Sequence, residues 1–243
     1  ILLYFLAMFN PLVSIIITTH KRSDYLKRAI NSVLNQTYEN FEIIVVDDNN
    51  HDNYRKKTQG TLAELIKSKK IIYIKHNFNK GISAARNTGI KYAKGQYIAF
   101  LDDDDEFYPQ KIFEQIKIFK NSSNKVGLVY GAYLEINVDN GKKRVVNPKI
   151  KNDVSSILGL NHIGPPSMVM FSRDAIEKTG EFDLNLNHKE DIDYYLRISD
   201  NFEVSYTKEV ITKYYIHEGG SSKNNKDRLI KMLKYIEKYK IKF

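Results

Sequence analysis

The sequence predicts an α/β fold: a mixed, mostly parallel central sheet flanked by helices, then a small antiparallel sheet and a basic C-terminal helix. Three observations carry this. Short β-branched runs alternate with segments of helical spacing from Val13 to Lys75, the pattern of βαβ units with right-handed crossovers. A wholly apolar run, Tyr97 to Leu101, reads as a strand buried on both faces, and it ends in four consecutive aspartates, Asp102 to Asp105. The pattern then changes to antiparallel pairing at Asn140-Gly141, a strong two-residue hairpin turn.

Val13 to Thr19 follows Pro11 and is the first strand, delivering Thr18-Thr19-His20-Lys21-Arg22 at its end. Tyr25 to Gln36 carries Leu26, Ala29, Ile30, Val33 and Leu34 at helical spacing, with Asp24 as the expected cap. Phe41 to Val46 is a second strand, ended by Asp47-Asp48-Asn49-Asn50. A helix from about Asn53 to Lys67 and a third strand from Ile71 to Lys75 follow. A loop through Lys80-Gly81 then enters a short helix with Arg86 one turn in. Its guanidinium would lie beside the strand ends, free to pair with carboxylate or phosphate, unless it is an ordinary surface arginine.

Beyond Pro109 a helix runs to about Lys120, Val126 to Val138 is a long strand, and Lys142 to Val146 is its hairpin partner. Gly164 to Arg173 reads as a further strand and Asp174 to Lys178 as a helix. The loop Gly180 to Asp183 leads to a helix in which Ile192, Tyr195, Leu196 and Ser199 share a face, placing Glu190 and Asp191 in its first turn. The helix dipole favours acidic residues there, and it would also keep a carboxylate ionised at neutral pH, as a general base must be. Val210 to Ile216 is the last strand and delivers His217. The helix from Asn225 to Phe243 is strongly basic and amphipathic. It packs on its own domain, lies on an anionic membrane or mediates association.

In an open α/β sheet, ligands sit beyond the carboxyl ends of the strands. Four adjacent carboxylates repel one another and raise each other's pKa unless a cation compensates. Extended backbone would put Asp102 and Asp104 on one face and Asp103 on the other. Oxygen ligands suit Mg²⁺ or Mn²⁺, and Mg²⁺ is usually bound by one or two carboxylates plus substrate phosphates. Asp105 and Glu106 read more simply, as the cap and acidic first turn of the helix containing Pro109.

At 243 residues and 42% hydrophobic, the chain has ample length for a core. It contains no cysteine, which excludes disulfides and thiolate metal sites. Its net charge of +9 favours anionic partners. No phosphate-loop or dinucleotide fingerprint occurs, which argues against common ATPases and dehydrogenases. No nucleic-acid partner is expected, because no such motif is present and an aspartate tetrad repels phosphate unless metal intervenes. The apolar run Ile1 to Phe9 is too short to span a bilayer, and Leu3-Tyr4-Phe5 before Met8 resembles the remnant of a cleavable tag. Residues 1–8 are therefore set apart from the fold.

Seven pieces in order are similar to the family 2 inverting glycosyltransferases of the GT-A (Rossmann-like) fold. They are Val13 to Arg22, Gln36 to Asp48, Asn79 to Asn87, Gly95 to Asp105, Gly180 to Asp183, Glu190-Asp191 with Asp193, and His217 to Gly219. The resemblance covers about residues 11–222. It implies one domain over 9–222, with a nucleotide-sugar half (9–105) and an acceptor and catalytic half (106–222), followed by the basic helix at 223–243. By that resemblance Thr18, His20 and Asp48 border the base and ribose of a donor, and Arg86 holds the base or phosphate side. Asp102 and Asp104 match an Asp-x-Asp motif, with Asp102 toward the donor and Asp104 on a Mn²⁺ or Mg²⁺ ion; Asp103, where the family frequently has a small residue, adds a donor contact or none. His217 matches a position that reaches metal or diphosphate in some relatives, with a purely structural histidine as the alternative. Asp191 matches the catalytic base, with Glu190 its neighbour.

The implied activity is inverting transfer of a hexose from a UDP-sugar to a glycan or lipid-linked hydroxyl in bacterial surface polysaccharide synthesis. The implied setting is cytoplasmic, with residues 225–243 available for peripheral contact at the inner face of the membrane or for homo-oligomer formation. Two rivals differ in what they require. A sugar nucleotidyltransferase needs a glycine-rich loop after the first strand, where this chain has Thr-Thr-His-Lys-Arg. A non-catalytic basic module for nucleic acid or membrane would bind in a salt-sensitive way without turnover.

Overall fold

The structure, a computed structural model, describes residues 10–122, 125–148, 163–186, 188–217 and 235–239. Its first half alternates strand and helix: β1 (Val13–Thr19), α1 (Ser23–Leu34), β2 (Phe41–Asp47), α2 (Asp52–Lys67), β3 (Ile72–Lys75), α3 (Ile82–Tyr92) and β4 (Tyr97–Asp102). The second half adds β5 (Glu106–Phe107), α4 (Lys111–Asn121), β6 (Val126–Asn137), β7 (Lys143–Val146), β8 (Met170–Ser172), α5 (Arg173–Thr179), α6 (Glu190–Ser199) and β9 (Glu203–Ile216).

Among the described residues these strands form one nine-stranded sheet in the order β3-β2-β1-β4-β8-β6-β9-β5, with β7 paired to β6. β1 lies parallel between β2 and β4, and Thr18 stands opposite both Val46 and Asp102. The carboxyl ends of three strands therefore share one edge. β4 then pairs antiparallel with β8, and β8 antiparallel with β6. The expected βα alternation, the change to antiparallel pairing and the β6–β7 hairpin are present, but the hairpin turn is longer than the expected two residues: the last ladder pair is Ile136 with Lys143, and the Gly141 N–H donates back to the Asn137 carbonyl at 2.9 Å.

Two apolar layers hold the sheet, divided by the two-residue period of its strands. Ile16, Ile44, Val46, Ile98 and Phe100 face one layer with Phe171, Phe182 and Tyr194. Ile15, Ile17, Ile43, Val45, Ala99 and Leu101 face the other with Leu26, Ile30 and Ile116. Each such side chain contributes roughly 1.5–3 kcal/mol on full burial. Gly89 lets α3 lie directly on β1, since a Cβ there would come within 2.3 Å of Ile16 Cγ2.

Several local expectations give way to tertiary structure. α1 starts at Ser23, so Asp24 sits inside its first turn and makes no capping bond. Asp105 and Glu106 begin no helix: Glu106–Phe107 pairs with β9, and α4 starts only at Lys111. The segment from Gly164 is not one strand, because Pro165 and Pro166 lack ladder donors and lead into a short 3₁₀ turn, Pro166–Met168, before β8. β9 starts at Glu203 rather than Val210, its polar first half recruited by pairing with β6 across register shifts.

Of the expected C-terminal basic helix, residues 235–239 are described and helical, with Tyr235 and Tyr239 buried. Lys238 Nζ donates to Asp183 at 2.8 Å and the Tyr239 hydroxyl to Asp193 at 2.7 Å, so this turn packs on its own domain. The remainder of that helix, and the proposed tag remnant at 1–8, lie outside the described residues. No helix among the described residues is long and apolar enough to cross a membrane.

Candidate functional site

Beyond β4 the chain turns sharply, the Asp105 N–H donating to the Asp102 carbonyl at 3.1 Å. The four aspartates therefore occupy a tight turn rather than extended strand, and the expected alternation of faces is replaced by four directions. Asp102 accepts from Arg86 Nη2 at 3.2 Å. Asp103 accepts the Thr19 hydroxyl at 2.7 Å and lies 3.4 Å from Arg22 Nη1. Asp104 accepts from Arg22 and lies 2.8 Å from His217 Nε2. Asp105 points inward, fully buried, and accepts the Ser167 hydroxyl at 2.6 Å and the Tyr215 N–H at 3.2 Å. Ser167 Oγ in turn accepts the Asp102 N–H at 3.1 Å, so one hydroxyl joins both ends of the turn. Burial pushes Asp103 up to about 7 despite Arg22. Burial, reinforced by Asp102 and Asp104, holds Asp105 well above the usual carboxylate range.

Arg86 is no surface arginine. Only 3% exposed, it donates from Nη1 to Glu190 at 2.9 Å and from Nη2 to Asp102 at 3.2 Å. Burial works to lower its pKa, but Asp102, Glu190 and Asp191 outweigh that and hold it above the ordinary arginine value. Its Nε has no hydrogen-bond partner among the described residues. The reason α6 arrives here is the loop before it. Asn87 Nδ2 donates to the Phe182 carbonyl at 2.9 Å, and the Phe182 N–H donates back to Asn87 Oδ1 at 2.8 Å. The Phe182 ring stacks on Tyr194 at 3.9 Å. α6 is thereby fixed with its first turn facing the end of β4.

In that first turn Asp191 Oδ1 accepts the Ile192 N–H at 2.8 Å. Burial and then Glu190 push Asp191 up to about 7, against the pull of Arg86. The helix dipole does not keep it fully ionised at neutral pH, as expected from sequence, because burial beside a like charge is the stronger effect. A carboxylate poised near neutrality is well placed for proton transfer.

At the edge made by β1 and β2, Thr18 is buried beside Asp102 in register. His20 Nε2 has no hydrogen-bond partner among the described residues, and burial, then Lys21, lowers the pKa of the ring. Asp48 is 4% exposed, and its two oxygens meet His76 Nδ1 at 2.7 Å, Lys80 N–H at 2.8 Å, Gly81 N–H at 2.9 Å and Asn79 Nδ2 at 3.0 Å. It shapes the loop that starts α3 at Gly81, whose φ of 86° suits glycine. Sequence reasoning missed His76, Arg22, and the inward role of Asp105 with Ser167. All four are defined by partners distant in the chain.

Asp104 and His217 meet at 2.8 Å, with Tyr25 stacked on the imidazole at 5.8 Å. Among the described residues, no group of three or more His, Asp or Glu side chains gathers to hold an ion unaided. The pair fits an ion that draws its remaining ligands from phosphate and water. The imidazole favours Mn²⁺ over Mg²⁺. Two open grooves lie elsewhere, one of about 470 Å³ beside Tyr38, Phe113 and Lys117, the other of about 440 Å³ beside Arg28, Glu106 and Lys213. Neither is lined by the site residues above.

Comparison with known proteins bears on this arrangement. The family model described as Glycosyl transferase family 2 matches residues 14–180. An uncharacterized glycosyltransferase of Rickettsia typhi is 35% identical over 215 residues, covering 86% of this chain and 65% of the relative. The Escherichia coli protein named UDP-Glc:alpha-D-GlcNAc-diphosphoundecaprenol beta-1,3-glucosyltransferase WfaP is 32% identical over 234 residues, covering 95% of this chain and 88% of WfaP. The crystal structure of S. aureus TarS 1-349 in complex with UDP-GlcNAc is similar in fold, with a TM-score of 0.69 at 17% identity over 86% of this chain and 59% of that TarS fragment. The chain thus spans just under two thirds of the Rickettsia relative.

Proposed function

Since the chain belongs to glycosyl transferase family 2 and has the GT-A fold, we propose that it moves a hexose from a UDP-sugar to an acceptor hydroxyl, inverting the anomeric carbon. Family membership makes it a glycosyltransferase and displaces the nucleotidyltransferase and non-catalytic readings. One observation carries the rest: buried Arg86 joins Asp102, at the end of β4, to Glu190, at the start of α6. The acidic turn and the carboxylates of α6 are therefore two sides of one site.

On the donor side, Thr18, His20 and Asp48 border the nucleoside; His20 Nε2 is buried there without a hydrogen-bond partner among the described residues. Asp102 and Asp103 frame the sugar-phosphate end. Asp104 and His217 would hold Mn²⁺ or Mg²⁺, which supplies Lewis-acid neutralisation of the diphosphate when bound. On the acceptor side, Asp191 takes the hydroxyl proton as the acceptor oxygen bonds to the anomeric carbon, and the bond to the diphosphate oxygen breaks with its electron pair. Burial, with Glu190 held beside it by Arg86, keeps Asp191 poised near neutrality. The name of WfaP, a transferase to a diphosphoundecaprenol-linked sugar, supports a lipid-linked sugar as acceptor. Surface polysaccharide synthesis at the inner face of the membrane is the setting that this reading implies.

A thermal-shift panel tests the donor. UDP or UDP-glucose with Mn²⁺ should raise the melting temperature, because a ligand bound only by the folded state stabilises it. No shift with any pairing of UDP, GDP or their sugars with Mn²⁺ or Mg²⁺ would contradict the proposal.

A further inference from the structure

Arg22 has no part in the chemistry described so far, yet it touches the acidic turn. Lys21, just before it, adopts φ 62°, and the Lys21 N–H donates to Asn49 Oδ1 at 2.7 Å. That pinned turn aims Arg22 across the site. Its Nη1 lies 3.4 Å from Asp103 Oδ1 and hydrogen-bonds Asp104 Oδ2, the same oxygen that lies 2.8 Å from His217 Nε2. The guanidinium therefore stands beside the Asp104 oxygen that faces His217, where an ion held by both side chains would sit. Two cations cannot both lie against that oxygen at contact distance without strong repulsion.

Building on the donor reading above, we infer that Arg22 is an internal counter-ion guarding the metal position. It neutralises Asp103 and Asp104 in the free protein, leaves them when ion and nucleotide arrive together, and transfers its guanidinium to the diphosphate. The other two arginines at the turn cannot do this. Arg86 is buried between Asp102 and Glu190. Arg28 reaches only the Asp104 carbonyl, at 2.6 Å, and is held by Glu106 at 3.2 Å and over the Tyr215 ring at 3.8 Å. Arg22 keeps 29% of its side chain exposed, which leaves it room to swing, and a planar guanidinium suits a diphosphate. Metal and nucleotide then enhance each other's binding through Arg22, a reciprocal coupling.

Calorimetric titration of Mn²⁺, with and without UDP, into wild type, Arg22→Gln and Arg22→Lys, each shown to be folded by thermal melting, tests this. Arg22→Gln should bind Mn²⁺ alone at least about tenfold more tightly than wild type, since a unit charge beside the ligand is gone. UDP should enhance Mn²⁺ binding by a larger factor in wild type than in Arg22→Gln, with Arg22→Lys between them. Equal or weaker binding of Mn²⁺ alone by Arg22→Gln, or an unchanged UDP enhancement, overturns the inference while leaving the donor reading intact. Absence of any UDP enhancement in wild type overturns the donor reading, and this inference with it.

Discussion

Asp191 stands where burial and a like-charged neighbour oppose a helix dipole and an arginine, and burial wins, pushing it up to about 7. Its base form is then scarce in acid. Transfer should rise about tenfold per pH unit up to about 7 and level above it, a profile measurable as kcat/KM against pH. The same shift acts on stability with the opposite sign. A carboxyl whose folded pKa lies above its unfolded value stabilises the fold fully below the unfolded value, and that contribution is lost as pH rises through about 7. Asp191→Asn should therefore be more stable than wild type near pH 8, by about 1 kcal/mol or more, as scanning calorimetry would reveal in a higher melting temperature. Arg86 carries the reverse liability. Arg86→Met leaves Asp102 and Glu190 without their shared cation and should cost about 3–5 kcal/mol in urea unfolding. At this scale the carboxylates were legible in the sequence, because runs of acid at a strand end and a helix start are visible along the chain. Asp105 and Ser167 were not, because their bond spans 62 residues and exists only once β9 and the 3₁₀ turn close over the acidic turn.

Among the elements, α3 does the joining: it carries Arg86 toward the site, pairs Asn87 with the loop before α6, and lies against β1 through Gly89. Gly89→Ala would set a Cβ 2.3 Å from Ile16 Cγ2. That variant should lose about 1–3 kcal/mol in chemical denaturation through overpacking, while an unchanged midpoint would show that α3 can shift. Strong patterns made β1, β2, β4 and the β6–β7 hairpin readable, each through β-branched runs or a defined turn. β5 was unreadable because two residues have no period, and it forms only as a partner for β9. The first half of β9 was hidden for a related reason: its polar residues are strand because β6 pairs with them, a tertiary override of weak local propensity.

For the whole molecule, the candidate site lies at the carboxyl ends of β1 and β4, where the strand order β3-β2-β1-β4 reverses direction, the topological position at which open α/β sheets bind ligands. The change of pairing was legible from Asn140-Gly141, but nothing in the chain's periodicity says that α6 returns to face β4. That return depends on Asn87, Phe182 and Arg86 meeting across the two halves. The central claim is that these halves form one donor and acceptor site. Its most direct test is calorimetric titration of UDP in the presence of Mn²⁺ into wild type, Asp104→Ala and Asp191→Asn, paired with a transfer assay. Asp104→Ala should lose at least about tenfold in UDP affinity, whereas Asp191→Asn should bind as wild type and transfer nothing. Wild-type affinity in Asp104→Ala, or transfer by Asp191→Asn, would contradict the account.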